Sequence, residues 1–374
     1  MQKREKGITL VALVITIIIL LILAGISISA LTNQGLFTQA QNAKNLTEEK
    51  TAEENAILAN YLEQMEAITG GSKTLASKVQ PGDYVTYTPD PASTDAIITE
   101  LGTYSGSTAN TSSTLKQEIG ETGLKWRVLD VVDGKVRLIS ELPTTSTVAL
   151  KGYNGYNNAV YLLDKTCKTL YSKAGYSENV QNLKIEDIQK YMTTTDYSTI
   201  DSSYGKTNIT PSSKYYPSIL LQEEGQTVTT SDGTTQPTTR LGLSEQETPI
   251  NQTTPNTATS WTVKYTYWNK EMVAGDFTNS IYYNLFINNG SNYSTYWMSS
   301  RCFYADSVYA GFRVSRVKSG GVGAFTLYYS HDDPYSTEHA LRPVVTLNSN
   351  VLVKSGEGRQ TSPYEIYVVE RKMQ

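Results

Sequence analysis

Cysteine and histidine are scarce in this chain, with two of each in 374 residues. Two cysteines are too few for a disulfide framework. They leave two readings open. Either Cys167 and Cys302 form one bridge in an oxidising compartment, or they are separate buried thiols, as free cysteine commonly is. No zinc-ligand spacing, phosphate loop or nucleophile–base constellation is present. The residues therefore predict no catalytic group, no metal, no cofactor and no enzymatic activity. Charge is sparse as well: 18% of residues are charged and the formal net charge is -4. That balance excludes a nucleic-acid footprint and a polybasic attraction to lipid. The polar surface must come instead from Thr, Ser, Asn and an unusual 27 tyrosines.

Charge is missing altogether between Ile8 and Lys44. Residues 8–31 are apolar enough to read as one helix, and about 24 helical residues span ~36 Å, sufficient for a ~30 Å hydrocarbon core. Lys3, Arg4 and Lys6 against Glu5 make the preceding leader net positive, which places it on the cytoplasmic side. The competing reading is a secretory signal peptide cut near Ser27-Ile28-Ser29, although such a segment has an apolar core of only about 7–15 residues. Lys6-Gly7 followed by Ile8-Thr9-Leu10-Val11-Ala12-Leu13-Val14 resembles the prepilin N-terminus of type IV pilins and pseudopilins, in the form found in Gram-positive bacteria. The resemblance implies cleavage after Gly7 by a prepilin peptidase, methylation of Ile8, and assembly with other pilin subunits. Ala12 stands where that family usually carries a glutamate that neutralises a neighbour's N-terminal amine. The departure favours a minor or tip subunit over a bulk fibre subunit.

Residues 32–70 continue as an exposed helix and linker. Leu36, Ala40, Ala43, Ala52, Ala56, Ala59 and Leu62 form a thin stripe at helical spacing, and Glu48, Glu49, Lys50, Glu53 and Glu54 form a solvated face. A globular head is expected over 79–371. Tyr84-Val85-Thr86-Tyr87 reads as a strand, and Trp126–Val132 and Lys135–Ser140 flank Asp133-Gly134 as a β-hairpin. Leu183–Met192 reads as a short helix, and 195–260, rich in Thr, Ser, Pro and Gln, as a loop-rich insert with occasional strands.

Three runs near the end are Tyr296-Trp297-Met298-Ser299-Ser300-Arg301, Ala310-Gly311-Phe312-Arg313 and Ala340-Leu341-Arg342-Pro343-Val344-Val345. Together with Gly152-Tyr153-Asn154-Gly155-Tyr156-Asn157-Asn158, they resemble a C-type-lectin-like head. Related heads occur in the variable proteins of diversity-generating retroelements, where a C-terminal sheet face displays hypervariable ligand-binding residues. The fold class implied is α+β: a long N-terminal pilin-type helix followed by a mixed, loop-rich head. Adenine-directed diversification cannot produce Lys, Glu, Gln, Met or Trp, and from Cys302 to Thr337 only Lys318 belongs to that set. No Glu-Pro-Asn calcium motif accompanies His331, His339, Asp332, Asp333 and Glu338, so they read as surface residues.

The segment suits recognition. Rigid amphipathic tyrosines lose little entropy on binding, and short polar groups adapt. Phe303, Tyr304, Asp306, Tyr309, Arg313, Tyr328, His331, Asp332, Asp333 and Tyr335 are the candidate contact residues. Trp297, Phe312, Leu327, Val344 and Leu347 are the candidate core. Strand alternation predicts Phe325, Leu327 and Tyr329 on one face and Thr326, Tyr328 and Ser330 on the other. The functional expectation is a single-pass membrane protein of the cell surface or pilus that binds an extracellular protein or glycan. The alternative is a structural pilin or pseudopilin with no ligand.

Overall fold

The computed structural model describes residues 50–51, 73–121, 123–193, 208–209, 215–222, 227–230, 235–236, 243–264, 269–287, 295–305 and 309–369. The chain divides into two compact units, Met1–Thr69 and Gly70–Gln374. All the described residues except 50–51 belong to the second.

The strands of this second unit run β1 (Tyr84–Thr86), β2 (Trp126–Val132), β3 (Lys135–Ser140), β4 (Thr147–Lys151) and β5 (Ser177–Asn182). The insert adds β6 (Asn208–Ile209), β7 (Tyr215–Tyr216), β8 (Thr227–Thr230), β9 (Thr235–Gln236) and β10 (Asn256–Lys264). Then come β11 (Lys270–Glu271), β12 (Tyr296–Ala305), β13 (Ala310–Lys318), β14 (Gly321–Tyr329) and β15 (Asp333–Pro334). The last are β16 (Ser336–Ala340), β17 (Pro343–Leu347), β18 (Val351–Ser355) and β19 (Tyr364–Val368). Among the described residues four α-helices interrupt them: α1 (Asp95–Tyr104), α2 (Gly152–Tyr171), α3 (Ile185–Gln189) and α4 (Ser280–Phe286).

One seven-stranded sheet has the order β18-β19-β1-β2-β3-β17-β5. The other runs β11-β14-β13-β12-β16-β4, with β15 added beside β14. A small five-stranded sheet, β6-β10-β8-β9 with β7 on β10, is built from the insert and the few residues that follow it. Between Asp133 (φ 49) and Gly134 (φ 73), two consecutive left-handed residues close the β2–β3 hairpin. That is the turn whose twist matches a right-handed ribbon.

α2 is the organising element. It contacts β4, β5, β12, β13, β14 and β17, strands of both large sheets. Tyr156, Ala159, Leu162, Leu163, Cys167 and Leu170 are buried in one core with Trp126, Leu138, Trp297, Phe303, Phe312 and Val345. Gly155 permits the close approach, because a Cβ there would lie 3.0 Å from the Ser105 carbonyl oxygen. A second core, with Leu129, Ile139, Met298, Val317 and Val344, is covered by α3 and α4. Trp297, Phe312, Leu327, Val344 and Leu347 are all buried.

Several expectations are corrected. The described residues are mostly β-sheet, so the α+β class with a long N-terminal helix does not stand. The abundance of Tyr, Thr, Val and Ile suits pleated, half-buried surfaces. The leader 1–7 with Gly7 and Ile8, the apolar stretch 8–31 and, apart from 50–51, the helical continuation 32–70 lie outside the described residues. Among the described residues no helix is long and apolar enough to cross a membrane. The single-pass membrane and pilus location, with the pilin character attached to it, is withdrawn on that finding. The longest described helix, α2, carries Asn157, Asn158, Asp164, Lys165 and Lys168 and packs against strands of both large sheets. Cys167 and Cys302 are both buried, and neither is in a disulfide.

Candidate functional site

The register of three strands sorts the aromatic residues. Phe303 pairs with Phe312, and Phe312 with Tyr328. Next to that row, Tyr304 pairs with Gly311, and Gly311 with Tyr329. Adjacent rows face opposite sides of a sheet. The Phe303–Phe312–Tyr328 row faces α2: the Tyr156 ring lies 5.2 Å from Phe312 and 6.2 Å from Phe303, and Tyr153 meets Tyr328 edge-on at 5.5 Å. All three residues of the row are fully buried. Phe303 and Tyr328, expected as contact residues, are therefore core.

The other row opens outward and carries the candidate site. Tyr309 and Arg313 share its face, each two residues from Gly311. Ring centroids are 6.0 Å apart for Tyr304–Tyr309, 5.0 Å for Tyr309–Tyr329 and 5.4 Å for Tyr329–Tyr335, the last two edge-to-face. His331 stacks on Tyr329 at 5.6 Å with an interplanar angle of 6°. The Arg313 guanidinium lies 5.2 Å from the centre of the Tyr304 ring. Edge-to-face pairs add about 0.5–1.5 kcal/mol beyond their burial, so the rings hold one another in place.

Gly311 is what lets Tyr329 lie across the strand. A Cβ at that position would come within 3.2 Å of the Tyr329 ring and 3.3 Å of Arg313 Nε.

The loop after β14 completes the patch. Asp332 N–H donates to the Tyr329 carbonyl at 3.0 Å, closing a tight turn in which Asp332 has φ 79. Its carboxylate accepts the Tyr328 hydroxyl at 2.8 Å, tying the exposed turn to the core. The pairing accompanies a Tyr328 phenol that burial, and then this carboxylate, push well up. His331 Nε2 is 2.6 Å from Asp333 Oδ2, with both side chains about half exposed. The Tyr335 backbone is clamped on both sides, donating to Leu327 at 2.8 Å and accepting from Gly152 at 3.0 Å, while its side chain stays 44% exposed.

Tyr304, Tyr309, Arg313, His331, Asp332, Asp333 and Tyr335 thus fall on one surface, and Asp306 lies outside the described residues. Sequence reasoning points to Tyr328 as the contact residue in place of Tyr329, the centre of the ring chain. A bulge explains the inversion. Between Phe312↔Tyr328 and Arg313↔Thr326, β14 carries the extra residue Leu327. Phe325 then pairs with Val314 and Tyr329 with Gly311, positions that face opposite sides. The glycine in Ala310-Gly311-Phe312 was the available signal, since a strand glycine marks a bulge or a close approach.

Among the described residues no group of three or more His, Cys, Asp or Glu is placed to hold a metal ion. Compared with protein families, curated proteins and solved structures, the chain matches none.

Proposed function

We propose that the Gly70–Gln374 unit is a binding module whose contact surface is the aromatic tip of β12, β13 and β14, and that its ligand is a protein. The observation that carries this reading is the outward row Tyr304–Gly311–Tyr329, flanked by Tyr309, Tyr335 and His331 and set back to back with a fully buried aromatic row. Fold and contact are separated by one step of strand alternation. The outer row can change without disturbing the core.

The tip is a ring platform with adaptable polar groups at its edge, Arg313 and Asp333. Such surfaces recognise proteins with little conformational cost. No catalytic role is assigned to them. The poverty of Lys, Glu, Gln, Met and Trp between Cys302 and Thr337 fits a surface under diversification.

Sequencing the same locus in sister strains tests the reading. Replacements are expected at 304, 309, 313, 329, 331, 333 and 335, with Phe303, Phe312, Tyr328 and its partner Asp332 unchanged. A tip as invariant as the core would refute a diversified contact surface, and replacements spread evenly over both faces would refute the separation of roles.

A further inference from the structure

A cleft lies elsewhere, along the flank of α2. It measures about 1030 Å³ and is lined by α2 from Tyr161 to Thr169, by β5, and by the segment 245–250. A second depression of about 400 Å³ continues it and shares Lys168, Thr169, Asn179 and Val180. Tyr161 is nine residues beyond Gly152, which abuts the aromatic tip, so the cleft begins roughly 14 Å further along the helix.

Buried polar groups build the wall of this cleft. Asn158 of α2 accepts from Ile250 N at 2.7 Å and donates to the Ile250 carbonyl at 2.8 Å. Arg301 donates to Gln246 Oε1 and to the Glu245 carbonyl, both at 3.1 Å. Ser244 donates to Glu186 at 2.8 Å and lies 2.7 Å from the Ser300 hydroxyl. Asn157, Asn158 and Arg301 are essentially inaccessible to solvent. A wall fixed by that many buried hydrogen bonds is preformed, as small-molecule sites usually are.

The lining carries three lysines, Lys165, Lys168 and Lys184, and three carboxylates, Asp164, Glu245 and Glu247. Much of this charge is already neutralised. Asp164 sits 3.6 Å from Lys184 and accepts the Asn182 N–H at 3.0 Å, and Lys165 is 3.8 Å from Glu100. What remains for a ligand is hydrogen-bonding capacity. Lys168, Thr169 and Glu247 make no side-chain polar contact among the described residues, and Gln181 and Asn179 extend the row.

A phosphate or polyanion would meet three carboxylates here. An apolar ligand would strip water from Asp164 and Lys184 without replacing it. A hydroxyl both donates and accepts, so a ligand with many hydroxyls satisfies carboxylate and ammonium neighbours alike. We propose that the α2–β5 cleft is a second binding site and that it takes a neutral oligosaccharide laid along α2 through the two depressions.

The test is calorimetric titration of the full chain with neutral tetrasaccharides (chitotetraose, cellotetraose, maltotetraose and mannotetraose), beside a heparin-derived tetrasaccharide and a zwitterionic tetrapeptide. At least one neutral sugar is expected to bind. Lys168→Ala and Glu247→Ala, both at exposed positions, should each weaken it about tenfold, the effect of losing a hydrogen bond to a charged group. Tyr335→Ala, at the tip, should leave it unchanged. Three results overturn the proposal: no neutral sugar binds at millimolar concentration, binding ignores both cleft substitutions, or the sulfated sugar or the peptide is preferred. Loss of sugar binding in Tyr335→Ala with the cleft variants unaffected would place the sugar at the tip instead.

Discussion

His339 provides a quantitative test of the packing beneath the β12–β13–β14 sheet. Its Nε2 lies 2.8 Å from Arg316 Nη1. A guanidinium only donates, so Nε2 must accept and the imidazole must be neutral. The ring sits 4.4 Å from Trp297. Burial, and then the Arg316 charge, push its pKa from 6.5 down to about 4. Above pH 6.5 the side chain is neutral in both folded and unfolded chains and has no effect on pH dependence. Between 6.5 and 4 the unfolded chain takes up a proton that the folded chain refuses, so stability falls as pH falls. At about 1.36 kcal/mol per pH unit, the full span is worth up to about 3 kcal/mol. Gln in place of His339 keeps an acceptor for Arg316 and removes the titration. Urea denaturation of both proteins at neutral pH and near pH 4.5 should show the parent losing about 2 kcal/mol or more relative to His339→Gln. Asp164, which burial holds above the ordinary carboxylate range, acts with the opposite sign but equally in both proteins. Parallel losses in the two would refute the buried neutral histidine.

Other outcomes can be worked out from named contacts. Burial pushes the Asp130 carboxyl up, but hydrogen bonds from Arg137, Tyr191 and Lys190 outweigh it and hold the group below its usual range. Arg137 forks onto Asp130 at 2.7 and 2.6 Å and reaches Asp187 at 2.6 Å. Arg137→Ala takes the guanidinium away from two buried carboxylates, leaving Asp130 to Lys190 and Tyr191 alone, and should cost about 3 kcal/mol in chemical denaturation. Gly311→Val should keep the fold by circular dichroism yet displace Tyr329, seen as a changed tyrosine environment in near-ultraviolet dichroism; an unaltered spectrum would count against the packed ring row. Because Cys167 and Cys302 are buried thiols outside any disulfide, dithiothreitol should leave the melting temperature unmoved, and a thiol reagent should react with both only after unfolding.

What the sequence disclosed depends on the range of the interactions. The Asp133-Gly134 hairpin is local, and it was legible. Trp297, Phe312, Leu327, Val344 and Leu347 were legible as core because apolar residues in β-rich runs have few other destinations. The tip was half legible. Tyr304, Tyr309 and Tyr335 announced themselves by chemistry, but choosing Tyr329 over Tyr328, and assigning Phe303 inward, needed a strand register that one extra residue at Leu327 reverses. The segment 243–252 is irregular, as expected for the loop-rich insert, but its place in the wall is not legible, because its hydrogen bonds reach far along the chain. Gln252 accepts from Asn157, 95 positions away, and no local pattern signals such a pair. The fate of the two cysteines, open in the sequence, required coordinates.

The central claim is that recognition occurs on the outward aromatic row. Random peptides displayed on phage and selected against the full chain tend to settle on the surface best suited to binding, whichever that is. The enriched clones are expected to lose binding to Tyr309→Ala, Tyr329→Ala and Tyr335→Ala while still binding Lys168→Ala. Clones that bind all three tyrosine variants as well as the parent would contradict the account.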